Sequence, residues 1–289
     1  MKNQHKKNQG FSLVELMITL VLSLLITYAI AQLLINSNQT SVTSDGISQS
    51  QETGRFVMSY LANQIRQSGL NSISNNSVTT KAIISCSDPD FVGLTSTTGE
   101  VACSTNTDTG DTQATIYNAG IHGDRLAVAW VPPLPASGNA ADIRDCSGAG
   151  GYSENDIIIN VFWVESDGNG MNNLVCQGST LSGSTITRSN PKQAIANGVD
   201  SLQILFGEAV DPLPITDRRN TAKYVNADDI TNWERVYAIK ASILTRSIAE
   251  VTNSNILRRY VLLDAEPYLM TDSINRQVFT TTYVINNYK

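Results

Sequence analysis

One carboxylate stands alone in the most apolar stretch of the chain. Glu15 lies within residues 11–35, FSLVELMITLVLSLLITYAIAQLLI, and no further Asp, Glu, Lys or Arg occurs before Asp45. A charged side chain in hydrocarbon costs about 3 kcal/mol near mid-bilayer and less at the interface, so its presence there points to charge pairing as its chemistry. Four thiols offer a second chemistry. Cys86, Cys103, Cys146 and Cys176 are even in number, widely spaced and free of any CxxC pair. That pattern suits disulfides in an oxidising compartment better than a metal knuckle. Of the three connectivities, Cys86 with Cys103 and Cys146 with Cys176 is the simplest, and each bridge would add about 3 kcal/mol.

Catalytic groupings are not visible. The sequence has no G-x-S-x-G elbow, P-loop, G-x-G-x-x-G or H-E-x-x-H motif. His122, in Gly120-Ile121-His122-Gly123-Asp124, reads as a surface turn residue. Asp167-Gly168-Asn169-Gly170-Met171-Asn172 has the outline of a calcium loop, but Met171 takes a ligand position and no Glu closes the coordination. It reads instead as a hairpin turn. Asp108, Asp111, Asp228 and Asp229 read as solvated loop charges. The expectation is a protein that is not an enzyme and needs no metal or cofactor.

The element that must carry Glu15 is a helix. Residues 16–35 would span ~30 Å, the thickness of a bilayer's hydrocarbon core. Lys2, Lys6 and Lys7 precede it and should stay cytoplasmic, which sends everything beyond residue 35 to the other side. A plain membrane anchor fits this segment, and so does a secretory signal cut after Ala31 in Ala29-Ile30-Ala31. The apolar run continues past that site, however, and neither reading gives Glu15 a task. The net charge of −6 and pI near 4.9 disfavour broad binding to nucleic acid.

Beyond the apolar run, residues 36–69 continue without proline, and Val57, Leu61 and Ile65 recur every fourth residue beside Phe56 and Tyr60. This is an amphipathic stripe that predicts packing on a globular part. Gly69 is a suitable stop. Gly46 and Gly54 each weaken a helix by ~1 kcal/mol relative to Ala, so bends are expected there. Compact runs rich in β-branched and aromatic residues predict strands at 127–131, 156–164, 201–206, 236–244, 260–263 and 279–285. Residues 87–110 and 132–151 read as long loops containing or touching cysteines. The fold class is α+β, a long N-terminal α-helix packed on an antiparallel β-sheet domain.

Two resemblances sharpen this reading. Gly10-Phe11-Ser12-Leu13-Val14-Glu15-Leu16 resembles the type IV prepilin cleavage and methylation motif, with Gly before the cut, Phe after it and Glu fifth in the mature chain. The resemblance implies that prepilin peptidase cuts after Gly10 and methylates the new amino group of Phe11. It further implies that Glu15 pairs with the terminus of a neighbouring subunit during assembly. Thr53-Gly54-Arg55-Phe56 through Ile65-Arg66 and Gly69 resembles the helix end of PilW-type minor pilins. Val199-Asp200-Ser201-Leu202-Gln203 with Gly207 resembles one of their strands, and Arg276-Gln277-Val278-Phe279-Thr280-Thr281-Thr282 with Asn286-Asn287 their last one.

These resemblances imply a pilin-like division: leader 1–10, membrane and filament-core helix 11–35, amphipathic periplasmic half 36–69 and β-rich domain 70–289. They imply a minor pilin that waits in the inner membrane as a single-pass protein with a periplasmic domain. It then primes pilus assembly in a tip complex and ends in the pilus. Its partners would be prepilin peptidase, other minor pilins and the major pilin, with a tip adhesin left open. The rival readings are a J-type pseudopilin of a type II secretion system, a periplasmic hydrolase released after Ala31, and a β domain that is itself an adhesin. Gly10→Leu is expected to block cleavage and leave the full-length chain in the membrane. Mass spectrometry of the N-terminus checks this, and normal processing would contradict the leader assignment.

Overall fold

The computed structural model describes residues 10, 12–71, 80–91, 94–105, 123–133, 143–153, 156–209, 223–251 and 256–287. The chain divides into two compact units, Met1–Asp45 and Gly46–Lys289. A single helix, α1 (Leu13–Gln67), supplies the described part of the first unit and opens the second. Its first backbone bond runs from Leu16 N to Ser12 O (3.1 Å). In the apolar part, the hydroxyls of Thr19, Ser23 and Thr27 return to the carbonyls of Leu16, Leu20 and Ser23 at 3.0, 2.9 and 2.8 Å. These three hydroxyls thus find their partners within the helix, as a segment in lipid requires.

In the second unit, α1 packs through Gly46, Ser50, Gly54, Val57, Met58, Leu61, Ala62 and Ile65. The helical assignment of α1 runs through both Gly46 and Gly54, where the sequence leads us to expect bends. The role of these glycines is close approach. A Cβ on Gly46 would lie 2.6 Å from Val251 Cγ2, and one on Gly54 would overlap the Phe279 ring. The missing side chains bring the backbone against its support, which outweighs the weakened helix propensity. The helix ends at Gly69, which has φ +72° and donates its N–H to Ala129 O (2.8 Å).

Two antiparallel sheets build the rest. The first contains β1 (Leu126–Trp130), β2 (Ile157–Ser166), β3 (Asn172–Ser182) and β4 (Thr185–Ser189) in spatial order 1-2-3-4, with β5 (Gln193–Asn197) also pairing with β3. The second contains β6 (Val199–Glu208), β7 (Lys223–Val225), β8 (Val236–Arg246) and β11 (Arg276–Val284) in the order 11-8-6-7. A small hairpin of β9 (Arg258–Tyr260) and β10 (Tyr268–Met270) completes the strands of the described residues. Both sheets and α1 contribute to one main core. Val57, Leu61 and Ile65 meet Phe162 of β2, Ile204 of β6 and Ile243 of β8 there. The other face of β2 enters a second core with Ile84, Phe91 and Trp163. Burial on both faces explains why the 156–164 run lacks polar alternation.

The second sheet carries a buried ionic cluster. Asp200, whose side chain is 1% exposed, accepts from Arg276 Nε at 2.5 Å and from Asn172 Nδ2 at 3.2 Å. Arg276 also holds Asp272 through two bonds of 2.7 Å. Burial opposes the charge on Asp272, but the hydrogen bonds and charge of Arg276 outweigh it and keep the carboxyl below its ordinary range. Removing one member would strand the other in an apolar interior at a cost of about 3–5 kcal/mol.

One sequence expectation needs correction in detail, and another holds. The strand expected at 260–263 ends at Tyr260, because Leu263 adopts φ +48° in a turn. The 167–170 hairpin does join β2 to β3, with Asp167 N bonded to Met171 O (2.8 Å). Crowding the close contact beneath α1 tests the seat of the helix. Gly54→Leu is expected to destabilise the second unit by about 1–3 kcal/mol, as overpacking does, measured by chemical denaturation.

Candidate functional site

The first unit presents an uncovered apolar rod. Every large apolar side chain from Leu13 to Ile35 is more than half exposed, from 52% at Leu22 to 77% at Leu13. The helix is long and apolar enough to cross a membrane. Glu15 sits in its first turn, where the helix dipole favours a negative charge. Among the described residues it has no ion-pair partner, so compensation must come from outside them. Gly10 is exposed, and a Cβ there would meet nothing within 4 Å. Packing among the described residues therefore makes no demand for glycine at this position. Phe11, Lys2, Lys6 and Lys7 lie outside the described residues.

The second unit holds the cysteines. Cys86 is joined to Cys103 (Cα–Cα 5.2 Å) and Cys146 to Cys176 (Cα–Cα 6.1 Å). The first bridge closes a segment laid along β1, with Ile84 N bonded to Ala127 O (3.1 Å) and Ser104 N to Ile84 O (2.7 Å). The second fastens the 143–153 segment onto β3 and brings it under α1, where Tyr60 Oη donates to Cys146 O (3.2 Å).

Beside that bridge lies a polar knot with no obvious sequence signature. Asp145 Oδ2 accepts from Tyr152 Oη and Asn190 Nδ2, both at 2.6 Å. Its Oδ1 accepts from Ser147 N (2.9 Å), Ser147 Oγ (2.7 Å) and Ala149 N (2.9 Å). Gly178 leaves the space for this carboxylate, since a Cβ there would collide with it. Burial first, and Asp145 second, push the Tyr60 and Tyr152 phenols up. Burial pushes Tyr283 up to about 12. At neutral pH all three stay protonated and serve as hydrogen-bond donors. Their arrangement positions chain segments.

The other sequence candidates are not brought together. Asp167 Oδ1 accepts from Asn169 N (2.7 Å) and Met171 N (3.1 Å), and these bonds hold its carboxyl below the usual range. Its lone pairs serve the turn. Asp228 accepts a hydrogen bond from Ser87 Oγ. His122, Asp108 and Asp111 lie outside the described residues. Among the described residues no cluster of three His, Cys, Asp or Glu could hold a metal ion.

Two family models match the chain. The prokaryotic N-terminal methylation motif covers residues 5–29, and Type IV Pilus-assembly protein W covers residues 161–287. No curated protein and no solved structure matches it. The first match takes in Gly10, Glu15 and most of the uncovered rod; together with the chain's long apolar helix and antiparallel sheets it supports the class, a type IV pilin. The second match takes in β6, β8 and β11 with the Asp200–Arg276 pair, and within that class it supports the PilW type.

Both bridges have covalent consequences that can be checked. Non-reducing digestion is expected to yield the peptide pairs 86/103 and 146/176 with no free thiol, and reduction is expected to loosen the 143–153 segment to proteolysis first. Labelling of Cys86 or Cys146 without a reductant would contradict this.

Proposed function

We propose that the protein is a minor pilin that helps prime type IV pilus assembly within a tip complex of other minor pilins, and that it acts by assembly rather than by catalysis. The observation that carries this reading is the uncovered apolar helix with a single carboxylate in its first turn. Such a surface is stable in only two settings, lipid or a bundle of like helices. Prepilin peptidase would cut after Gly10 and methylate Phe11, leaving the rod attached. The protein then waits in the inner membrane with its disulfide-bonded domain in the periplasm.

On leaving lipid for the bundle, Glu15 must exchange headgroup or water contacts for a cation. The amino group of Phe11 on a neighbouring subunit supplies one of opposite sign, and the pairing sets the axial register between subunits. The β domain supplies contacts to other minor pilins and to the major pilin. The match to Type IV Pilus-assembly protein W over residues 161–287 supports a pilus over a secretion pseudopilus.

Glu15→Val is expected to be cleaved and inserted normally but to recover about tenfold less of the other minor pilins on co-purification, the equivalent of about 1.4 kcal/mol. Quantitative mass spectrometry of detergent-solubilised complexes measures this. Undiminished recovery together with wild-type piliation would remove charge pairing from the mechanism.

A further inference from the structure

Among the described residues, β11 is an edge strand with no neighbour on its outer side. Ile285 N donates to Tyr237 O (2.9 Å), and Ser247 N to Asn275 O (2.8 Å), which sets the phase of the β8–β11 ladder. With Val284 opposite Ala238 and Arg276 opposite Arg246, residues 277, 279, 281 and 283 exchange their bonds with β8. The N–H and C=O groups of Val278, Thr280, Thr282 and Val284 therefore point away from the sheet, and no described residue bonds to them. Their side chains are exposed, Val278 at 38% and Val284 at 57%. All four are β-branched and uncharged. The strand has no Pro, no Lys and no bulge in its pairing, the features that ordinarily blunt an edge.

Strand directions say what fits. β11 is antiparallel to β8, β8 to β6 and β6 to β7, so the two edges of the sheet, β11 and β7, run opposite ways. A neighbour with the same sheet order and the same orientation would present to β11 an edge running antiparallel to it. Two-fold pairing of two β11 strands does the reverse. Within the second unit α1 and β11 run the same way, since Gly54 faces Phe279, Met58 O accepts from Tyr283 Oη (2.8 Å) and Arg66 O from Asn287 Nδ2 (2.8 Å). A two-fold mate would thus turn its α1 the opposite way, which chains inserted alike in one membrane do not do. This chain's own β7 has three residues against nine in β11, too few to cover it.

We infer that β11 is a docking edge for a different pilin-type subunit held in the same orientation. That subunit's outer strand adds antiparallel to residues 278–284 and carries small, uncharged side chains on the face shared with Val278, Thr280, Thr282 and Val284. Main-chain bonds give the affinity and the shallow β-branched face gives the selection. The inference rests on the assembly role proposed above.

The test uses the full-length chain in its own membrane, with the photoreactive residue p-benzoylphenylalanine in place of Val284. A crosslink to a different pilin-type chain, identified by mass spectrometry, is the expected result. Thr280→Pro removes one outward N–H while leaving the β8 ladder intact, and Thr282→Lys puts a charge on the docking face. Each is expected to lower crosslinking and co-purification of that chain about tenfold, with unchanged thermal unfolding. Should the proline disturb folding, Thr282→Lys alone decides. A crosslink only to a second copy, no crosslink, or full co-purification with Thr282→Lys would overturn the docking edge. If Thr282→Lys co-purifies fully while Glu15→Val does not, the edge fails and the assembly role stands.

Discussion

The seat of α1 on the four-stranded sheet depends on side chains that are missing. At Gly46 and Gly54 the space a Cβ would fill is already taken by Val251 and Phe279. That closeness lets Thr245 Oγ1 reach Ser50 O (3.1 Å) and Tyr283 Oη reach Met58 O (2.8 Å). Carbonyls already engaged in the helix accept a second bond from the sheet, which fixes the helix in rotation and along its axis. Val57, Leu61 and Ile65 are then aimed between the two sheets, where burying each contributes on the order of 2 kcal/mol. The first sheet joins the same helix through Gln64 Oε1 and Asn160 Nδ2 at 2.8 Å. One helix face thereby sets the positions of both sheets.

The polar interior follows from that placement. Once the sheets close on α1, Asp200, Asp145 and Glu208 lie almost out of contact with solvent, at 0%, 6% and 1% exposure. Each is met by several donors. Arg276 and Asn172 serve Asp200, Tyr152 and Asn190 serve Asp145, and Thr231 and Asn232 serve Glu208. Buried carboxylates with this many donors specify one arrangement, because any shift leaves a charge without compensation. They fasten long connections to strands where an apolar contact would allow sliding.

Much of this was legible in the residues. The helix and the main strands carry their own periodicity, and Glu15 declares itself by being the lone charge among apolar neighbours. What stayed hidden has a physical reason. The glycines in α1 read as weak points because propensity is local, while their value comes from Val251 and Phe279, some two hundred residues away in sequence. β4, β5, β7 and β10 are short and β4 and β5 are largely exposed, so they lack a run of apolar residues to mark them. Asp145, Asn190 and Gly178 look like ordinary loop and strand residues until the Cys146–Cys176 bridge brings them together. Asp200 and Arg276 belonged to recognisable motifs, yet their pairing across β8 was not legible from either motif alone.

The parallel run of α1 and β11 has a mechanical meaning. Their contacts are spread along the common axis, from Gly54 and Phe279, through Met58 and Tyr283, to Arg66 and Asn287. Tension applied along the helix loads these attachments side by side, in shear, instead of peeling them away one after another. Attachments loaded in this way resist together, so the helix and the last strand part in one cooperative step rather than by successive peeling.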